Sequence, residues 1–371
     1  MEEFRQVIQE PHQYARSWKK RTCQKVVGYL CTYVPEEVLY AAGMLPVRIM
    51  GSHETQDVVE PYIYSMYCPF SRDTLAQGLR GRYNYLDGLV YGHSCTHIRH
   101  TYDSWKRHIP IDYCHYVFVP SHVQSPHAQE YMVGELEKFR LSLENWTGKP
   151  ISPEALGEAI QVYDQNRRLT HQLYELLKTD NPPVTGAEVM EIVLASMLMD
   201  KREHSALLER FLKGVPAQGK GEGVRLMLIG SEFDDINLVK IIEDLGGRVV
   251  IDDLCVGTRY FWNEVGDGRD PLPALAHRYL SKPLCPVKDL DERARHPHLL
   301  KLAQEYRVQG VIMLLMKFCE PHEYDTPFLK EIFAKNGIPT LALETDVTIP
   351  AGQFRTRIEA YLETLRAEVL F

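Results

Sequence analysis

The sequence predicts an α/β protein, two parallel-sheet domains with a helical insert between them, on three observations. Short apolar runs alternate with helical segments in both outer parts of the chain, long 3.6-period segments fill the middle, and one glycine-rich stretch ends that middle. The 371 residues suit two or three domains at roughly 100–200 residues each.

The first domain is expected over residues 1–127. Arg5 to Arg21 reads as a helix, and VVGYLC is a strand that ends at Cys31. Pro35-Glu36-Glu37 is a proline and acidic helix start, VLYAAG is its amphipathic body, Gly43 stops it, and LPVRIMG is the next strand. Strand, helix and strand in so short a span make a parallel crossover, the unit of a Rossmann-like sheet. LDGLVYG (Leu86 to Gly92) and YVFVPS (Tyr116 to Ser121) continue that sheet, with a helix around His97 to Arg107 between them.

Residues 128–220 read as the helical bridge. Its segments YMVGELEKFRLSLENW and ISPEALGEAIQVYDQNRRLTHQLYELLK carry helical periodicity; Ser152-Pro153-Glu154 caps the second, Asn181-Pro182-Pro183 breaks it, and Thr185 to Glu188 caps the next. Gly214 to Gly223 is the most linker-like stretch. The second Rossmann-like domain, 221–371, follows with VRLMLIG, GRVVID, GVIMLLM and PTLALE, near-continuous apolar strands of the kind buried on both faces. The two α/β halves read as distant copies of one plan.

Composition narrows the function. With 50 acidic against 42 basic residues, a net charge of -8, the chain has no electrostatic footprint for nucleic acid. The N-terminal segment lacks a secretory apolar core and no stretch has the ~18 apolar residues of a membrane span, so a cytoplasmic protein is expected. There is no GxxxxGK[ST] loop, hence no expectation that this chain hydrolyses ATP itself, no GxGxxG after the first strands, and no GxSxG elbow.

The cysteines carry the chemistry. There are eight, Cys23, Cys31, Cys68, Cys95, Cys114, Cys255, Cys285 and Cys319, and none lies in a CxxC pair. Sites built from adjacent ligands on one tight turn are thereby excluded, and any metal must draw its ligands from distant segments. In open parallel sheets the ligand crevice lies beyond the carboxyl ends of the strands. Cys31 closes the first strand; Cys95, Cys255 and Cys319 each follow a strand by three residues; Cys68 lies in the irregular stretch YIYSMYCPF. One cysteine at a strand end is ordinarily a small buried hydrophobe. Five on one edge can meet as soft ligands, and the apolar, aromatic surroundings favour iron–sulfur over zinc. Cys23 and Cys114 lie before strands and are read as structural, while Cys285 sits on a loop and is undecided.

His93, His97 and His100 flank Cys95 in GHSCTHIRH, but without an HExxH pattern they are read as solvated or capping. Arg72, Arg99, Lys317, Glu320, His322, Glu344 and Asp346 fall near the same edge. They could hold a phosphate-bearing substrate or relay protons, against the competing reading of ordinary surface ion pairs.

At these residues the sequence resembles a known family. VGYLCTYVPEEVLYAAGMLPVRIMG, YCPFSRD, GHSCTHIRHTYDSW and KFCEPHEYDTPFLKEIF…GIPTLALETD, in this order, resemble the subunits of 2-hydroxyacyl-CoA dehydratases and ATP-dependent (class I) benzoyl-CoA reductases. DDLCVGTRYFW and the chain length are most like the smaller catalytic-core subunit of a benzoyl-CoA reductase. The resemblance implies two Rossmann-like domains and a 4Fe-4S cluster on Cys68, Cys95 and Cys319; from their place next to Cys319, Glu320 and His322 are the catalytic candidates, as proton relay or as groups bracing the cluster ligands. It also implies an acyl-CoA substrate, a homologous larger catalytic subunit, an ATP-hydrolysing iron–sulfur activator, and ferredoxin as upstream donor. Double-cubane proteins are similar too. They imply an 8Fe-9S cluster as the alternative cofactor, with Cys31, Cys255 and Cys285 as a second ligand set. A cluster-free scaffold subunit is the non-enzyme alternative.

Overall fold

The computed structural model describes residues 1–266, 270–289 and 293–368. Its frame is two four-stranded parallel sheets. The first contains β1 (Val26–Leu30), β2 (Leu45–Arg48), β3 (Gly88–Gly92) and β4 (Tyr113–Val117) in the order β2-β1-β3-β4. The second contains β5 (Val224–Gly230), β6 (Gly247–Asp253), β7 (Gly310–Met316) and β8 (Thr340–Thr345) in the order β6-β5-β7-β8. Each half therefore places its second strand outside its first, and its third and fourth on the other side. One plan is used twice, as the two similar halves of the sequence predict.

The helices of the first half are α1 (Glu2–Gln9), α2 (Pro11–Thr22), α3 (Glu36–Ala41), α4 (Pro69–Leu79) and α5 (Thr96–His108). The insert supplies α6 (Ala128–Thr147), α7 (Pro153–Glu175), α8 (Gly186–Ser196) and α9 (Lys201–Gly214). The second half adds α10 (Ile236–Asp244), α11 (Thr258–Phe261), α12 (Pro271–Ser281), α13 (Arg295–Glu305), α14 (Glu320–Lys335) and α15 (Ala351–Glu368). The expected caps form: Ser152 accepts from the Ala155 N–H, and Thr185 and Glu188 close a capping box.

Three local expectations are corrected. The N-terminal helix is two helices, because Glu10 is non-helical and Pro11 starts the second at its first turn. The stretch around Cys68 leads into α4, with Pro69 as the first helical residue. The strand assigned to 116–121 begins earlier, at Tyr113, which puts Cys114 inside β4 opposite Leu89 rather than before the strand.

The insert does not hang between the halves. α8 packs on β6, α10 and α1, whereas α7 packs on α3, and α12 of the second half lies on α6 and α7. Leu275, Ala276 and Tyr279 of α12 thus share a core with Val27, Tyr29 and Val90 of the first sheet. Buried polar bonds fix this junction: Tyr279 donates to Val34 O (3.0 Å) and to Glu37 (2.8 Å), and Arg167 of α7 pairs with Glu37.

Candidate functional site

With strand order 2-1-3-4, each sheet reverses direction of growth between its first and third strands, and the crevice beyond those two strand ends is where ligands bind. In the first sheet those ends lead to Cys31 and Cys95, and in the second to Ser231-Glu232 and Cys319. The halves face each other across this region. Arg48 at the end of β2 pairs with Glu232 after β5, and His53 bonds Asp234 (2.8 Å) and Val347 O (3.0 Å). Gly92 lets the first sheet close up, since a Cβ there would meet the Tyr33 carbonyl carbon at 2.6 Å.

Six of the eight cysteines gather here, as two sets of three. Cys68, Cys95 and Cys319 form one. Burial is the main cause that raises all three thiols above their ordinary range; the neighbouring Cys68 and Cys319 raise Cys95 further, and Cys68 raises Cys319. Each of the three is the N-cap residue of a long helix, α4, α5 or α14. The amide N–H three residues on, at Ser71, Ile98 and His322, partly opposes the rise in each case, although none closes to a formal capping hydrogen bond. The Cys68 thiol also lies 3.0 Å from Ser71 Oγ.

Cys31, Cys255 and Cys285 form the other set. Cys255 is pushed up to about 12 by burial, opposed by Arg259, whose Nη2 donates to its sulfur at 3.2 Å. Burial raises Cys285 as well, again opposed by Arg259, and both thiols feel Cys31. The sets are electrostatic neighbours: Cys31 contributes to the rise of Cys95, and Cys285 to that of Cys319. Cys31 has a φ of 74°, a left-handed conformation costly for a residue with a Cβ. Lys282 donates to Thr32 O and Oγ1 (2.9 and 3.1 Å) and Lys288 to Val119 O and Pro120 O; burial lowers them to about 7 and about 8.

The thiols are free, and among the described residues no three His, Cys, Asp or Glu side chains close around one ion position. The donor set fits a larger centre for a second reason. Buried polar atoms in these walls lack partners: Arg48 Nε and Nη1, Arg259 Nε, Arg295 Nη2, His322 Nε2 and Glu232 Oε2. Unpaired buried N–H groups cost about 1–3 kcal/mol each, and the sulfurs of an iron–sulfur cluster are acceptors of the kind the arginine nitrogens lack, whereas Glu232 Oε2 needs a donor. Both sets could therefore hold such a centre.

The remaining candidates separate. Cys23 is exposed at the end of α2. Glu320 is 72% exposed and faces His97 at 3.8 Å, so it stands on the rim rather than in the site. His322 is buried and kept neutral by burial and by Arg259 and Arg295. Arg99 pairs with Asp103, and Lys317 with Asp346 and Glu344, on the surface. His97 is neither solvated nor a cap: its Nδ1 accepts the Cys68 N–H (3.1 Å), bracing the Cys68 turn against α5. The sequence reading missed Arg48, Glu232, Arg259, Arg295, Lys282 and Lys288. For Glu232 and Arg259 a signal existed, their position just after β5 and β6.

Residues 31–365 match the family described as 2-hydroxyglutaryl-CoA dehydratase, D-component. The chain is 31% identical over 340 residues to one of the subunits of the benzoyl-CoA reductase of Thauera aromatica, covering 89% of this chain and 88% of that one. It is 27% identical to the (R)-phenyllactyl-CoA dehydratase beta subunit of Clostridium sporogenes, with 98% of both chains covered. It is 28% identical to the beta subunit of (R)-2-hydroxyglutaryl-CoA dehydratase of Acidaminococcus fermentans, with the same coverage.

Proposed function

The chain belongs to the 2-hydroxyglutaryl-CoA dehydratase D-component family, and on that premise we propose that it is the iron–sulfur electron-transfer subunit of an acyl-CoA enzyme, with six thiols rather than three serving its inorganic centre. The observation that carries this reading is the placement of six cysteines at the facing strand ends of the two sheets, Cys68, Cys95 and Cys319 at helix starts and Cys31, Cys255 and Cys285 beside them, with electrostatic coupling between the sets. Six thiols in two connected triplets suit the double-cubane 8Fe-9S cluster better than one 4Fe-4S cluster. Such a centre supplies one-electron transfer at low potential.

The chain's own residues prepare for it in three ways. The crevice at the strand ends buries Cys68 and covers the other five thiols in part. The N-termini of α4, α5 and α14 and the Arg259 guanidinium offset part of the cost that burial sets on the thiolate, the form that ligates metal. The Arg48–Glu232 and His53–Asp234 contacts hold the two halves, and hence the ligands each contributes, in register.

Anaerobic purification with iron and sulfide analysis tests the reading: about eight irons per chain are expected, about four would return the site to Cys68, Cys95 and Cys319 alone, and a colourless iron-free protein favours the cluster-free scaffold. A second reading, the 4Fe-4S subunit of a benzoyl-CoA reductase, draws on the 31% identity to the Thauera aromatica protein. In either reading the partners are a homologous larger subunit, an ATP-hydrolysing iron–sulfur activator and ferredoxin. Copurification, followed by assay of ATP-dependent reduction against dehydration of acyl-CoA, separates reductase from dehydratase.

A further inference from the structure

Arg48 is the last residue of β2 and is fully buried. Its guanidinium carbon lies 5.5 Å from the Tyr29 ring and 5.8 Å from the Phe70 ring, and its backbone N–H donates to Met197 O at 2.9 Å. Side chain and backbone are thus both fixed. One nitrogen, Nη2, donates to Glu232 of the opposite half; Nε and Nη1 donate to nothing, and Glu232 Oε2 is equally unpaired. Cys31 follows by two residues Tyr29, the strand partner of Arg48, and the Cys255 N–H donates at 3.0 Å to the carbonyl of Ser231, next to Glu232; both thiols also act on Arg48.

A guanidinium cannot shed its proton to escape this position. A lone ion pair also leaves its remaining donors dry, at about 1–3 kcal/mol per group. The arrangement becomes complete when an acceptor sits between Cys31 and Cys255, within reach of a rigid fork of N–H groups.

We infer that Arg48 sets the reduction potential of the Cys31–Cys255–Cys285 side of the site, donating from its two unpartnered nitrogens, Nε and Nη1, to sulfur of the centre held there. This rests on the iron–sulfur reading above. A fixed positive charge and N–H···S bonds both stabilise the form that carries the extra electron, so the potential on this side is raised relative to the Cys68–Cys95–Cys319 side. Glu232 opposes that charge, and the pair sets the net effect.

The test is a mediated redox titration of anaerobically purified wild type, Arg48→Lys, Arg48→Met and Glu232→Gln, with iron content and electron paramagnetic resonance spectra of each. Arg48→Met is expected to keep its iron and to become harder to reduce, by about tenfold or more in the reduction equilibrium, which is about 59 mV for a one-electron couple. Arg48→Lys, which keeps the charge and loses the fork, falls between. Glu232→Gln shifts in the opposite direction and supplies the answer even if Arg48→Met fails to fold. Iron-loaded variants with the wild-type potential overturn the role of Arg48. A wild type without iron–sulfur absorption overturns the reading beneath it.

Discussion

The two thiol sets obtain their stabilisation from different parts of the polypeptide. Cys68, Cys95 and Cys319 each start a helix and face its first amide groups, joined by the hydroxyls of Ser71 at Cys68 and Ser231 at Cys319. Cys31, Cys255 and Cys285 start no long helix; they face Arg259, Arg48 and the buried amines of Lys282 and Lys288, which burial lowers to about 7 and about 8. Peptide dipoles survive any side-chain replacement, whereas side-chain cations can be removed one at a time. The second set, with several buried cations around it, is therefore the one whose charge environment side-chain substitution can change most.

The largest effect that breaks the comparison is loss of the ligands themselves. Serine at Cys68, Cys95 or Cys319 should each lower bound iron by about half or more, and serine at Cys31, Cys255 or Cys285 should do the same. Cys23→Ser, on the exposed end of α2, should leave the iron unchanged. Full iron in all three Cys31, Cys255 and Cys285 variants would reduce the second set to packing.

Arg259→Met comes next. Arg259 is 1% exposed and bonds Asp253, Gly230 O and the Cys255 sulfur, so its removal strands the Asp253 carboxylate beside Arg295 alone. A loss of about 3–5 kcal/mol in urea unfolding of the metal-free protein is expected. Alkylation of Cys255 should slow as well, because the guanidinium is what restrains its rise. In the first set Arg72 bears on Cys68 less than the hydroxyl and amide of Ser71 do, so Arg72→Met should change Cys68 less than Arg259→Met changes Cys255, and this contrast is the sharpest form of the comparison.

The smallest effect lies outside both sets, at the contact between the halves. His53 is raised to about 9, chiefly by its hydrogen bond to Asp234, with burial opposing. A folded-state value above the unfolded one, about 6.5, means that this stabilisation is complete below pH 6.5 and is lost as pH rises through about 9. Since the side chain is 44% exposed, solvent screening keeps the effect to under about 1 kcal/mol. Urea midpoints of wild type and His53→Ala should converge between about pH 6.5 and 9.5; a constant gap would remove His53 from the contact.

The strand ends are legible in the sequence, and with them Cys31, Cys95, Cys255 and Cys319, because an apolar run followed by a cysteine is a local pattern. Cys285 is undecided at that level since what gives it meaning is distant: its N–H reaches Tyr33 Oη at 3.4 Å and nearby Lys282 reaches Thr32, 250 positions away along the chain. Arg48 is invisible for another reason. In LPVRIMG it is one charge in a strand, and nothing local says that its side chain turns inward to a carboxylate of the other half. The helix after Cys68 is hidden by Pro69, which reads as a break until the following residues are recognised as its first turn.

The position of α12 has a consequence for synthesis. Val27, Tyr29 and Val90 of the first sheet are finished only when Leu275, Ala276 and Tyr279 arrive. A ribosome that has released residues 1–220 has made every strand of that sheet and none of the helix that completes its core. The first half must therefore wait, partly uncovered, for the second, and expression of 1–220 alone should yield an aggregating fragment rather than a domain.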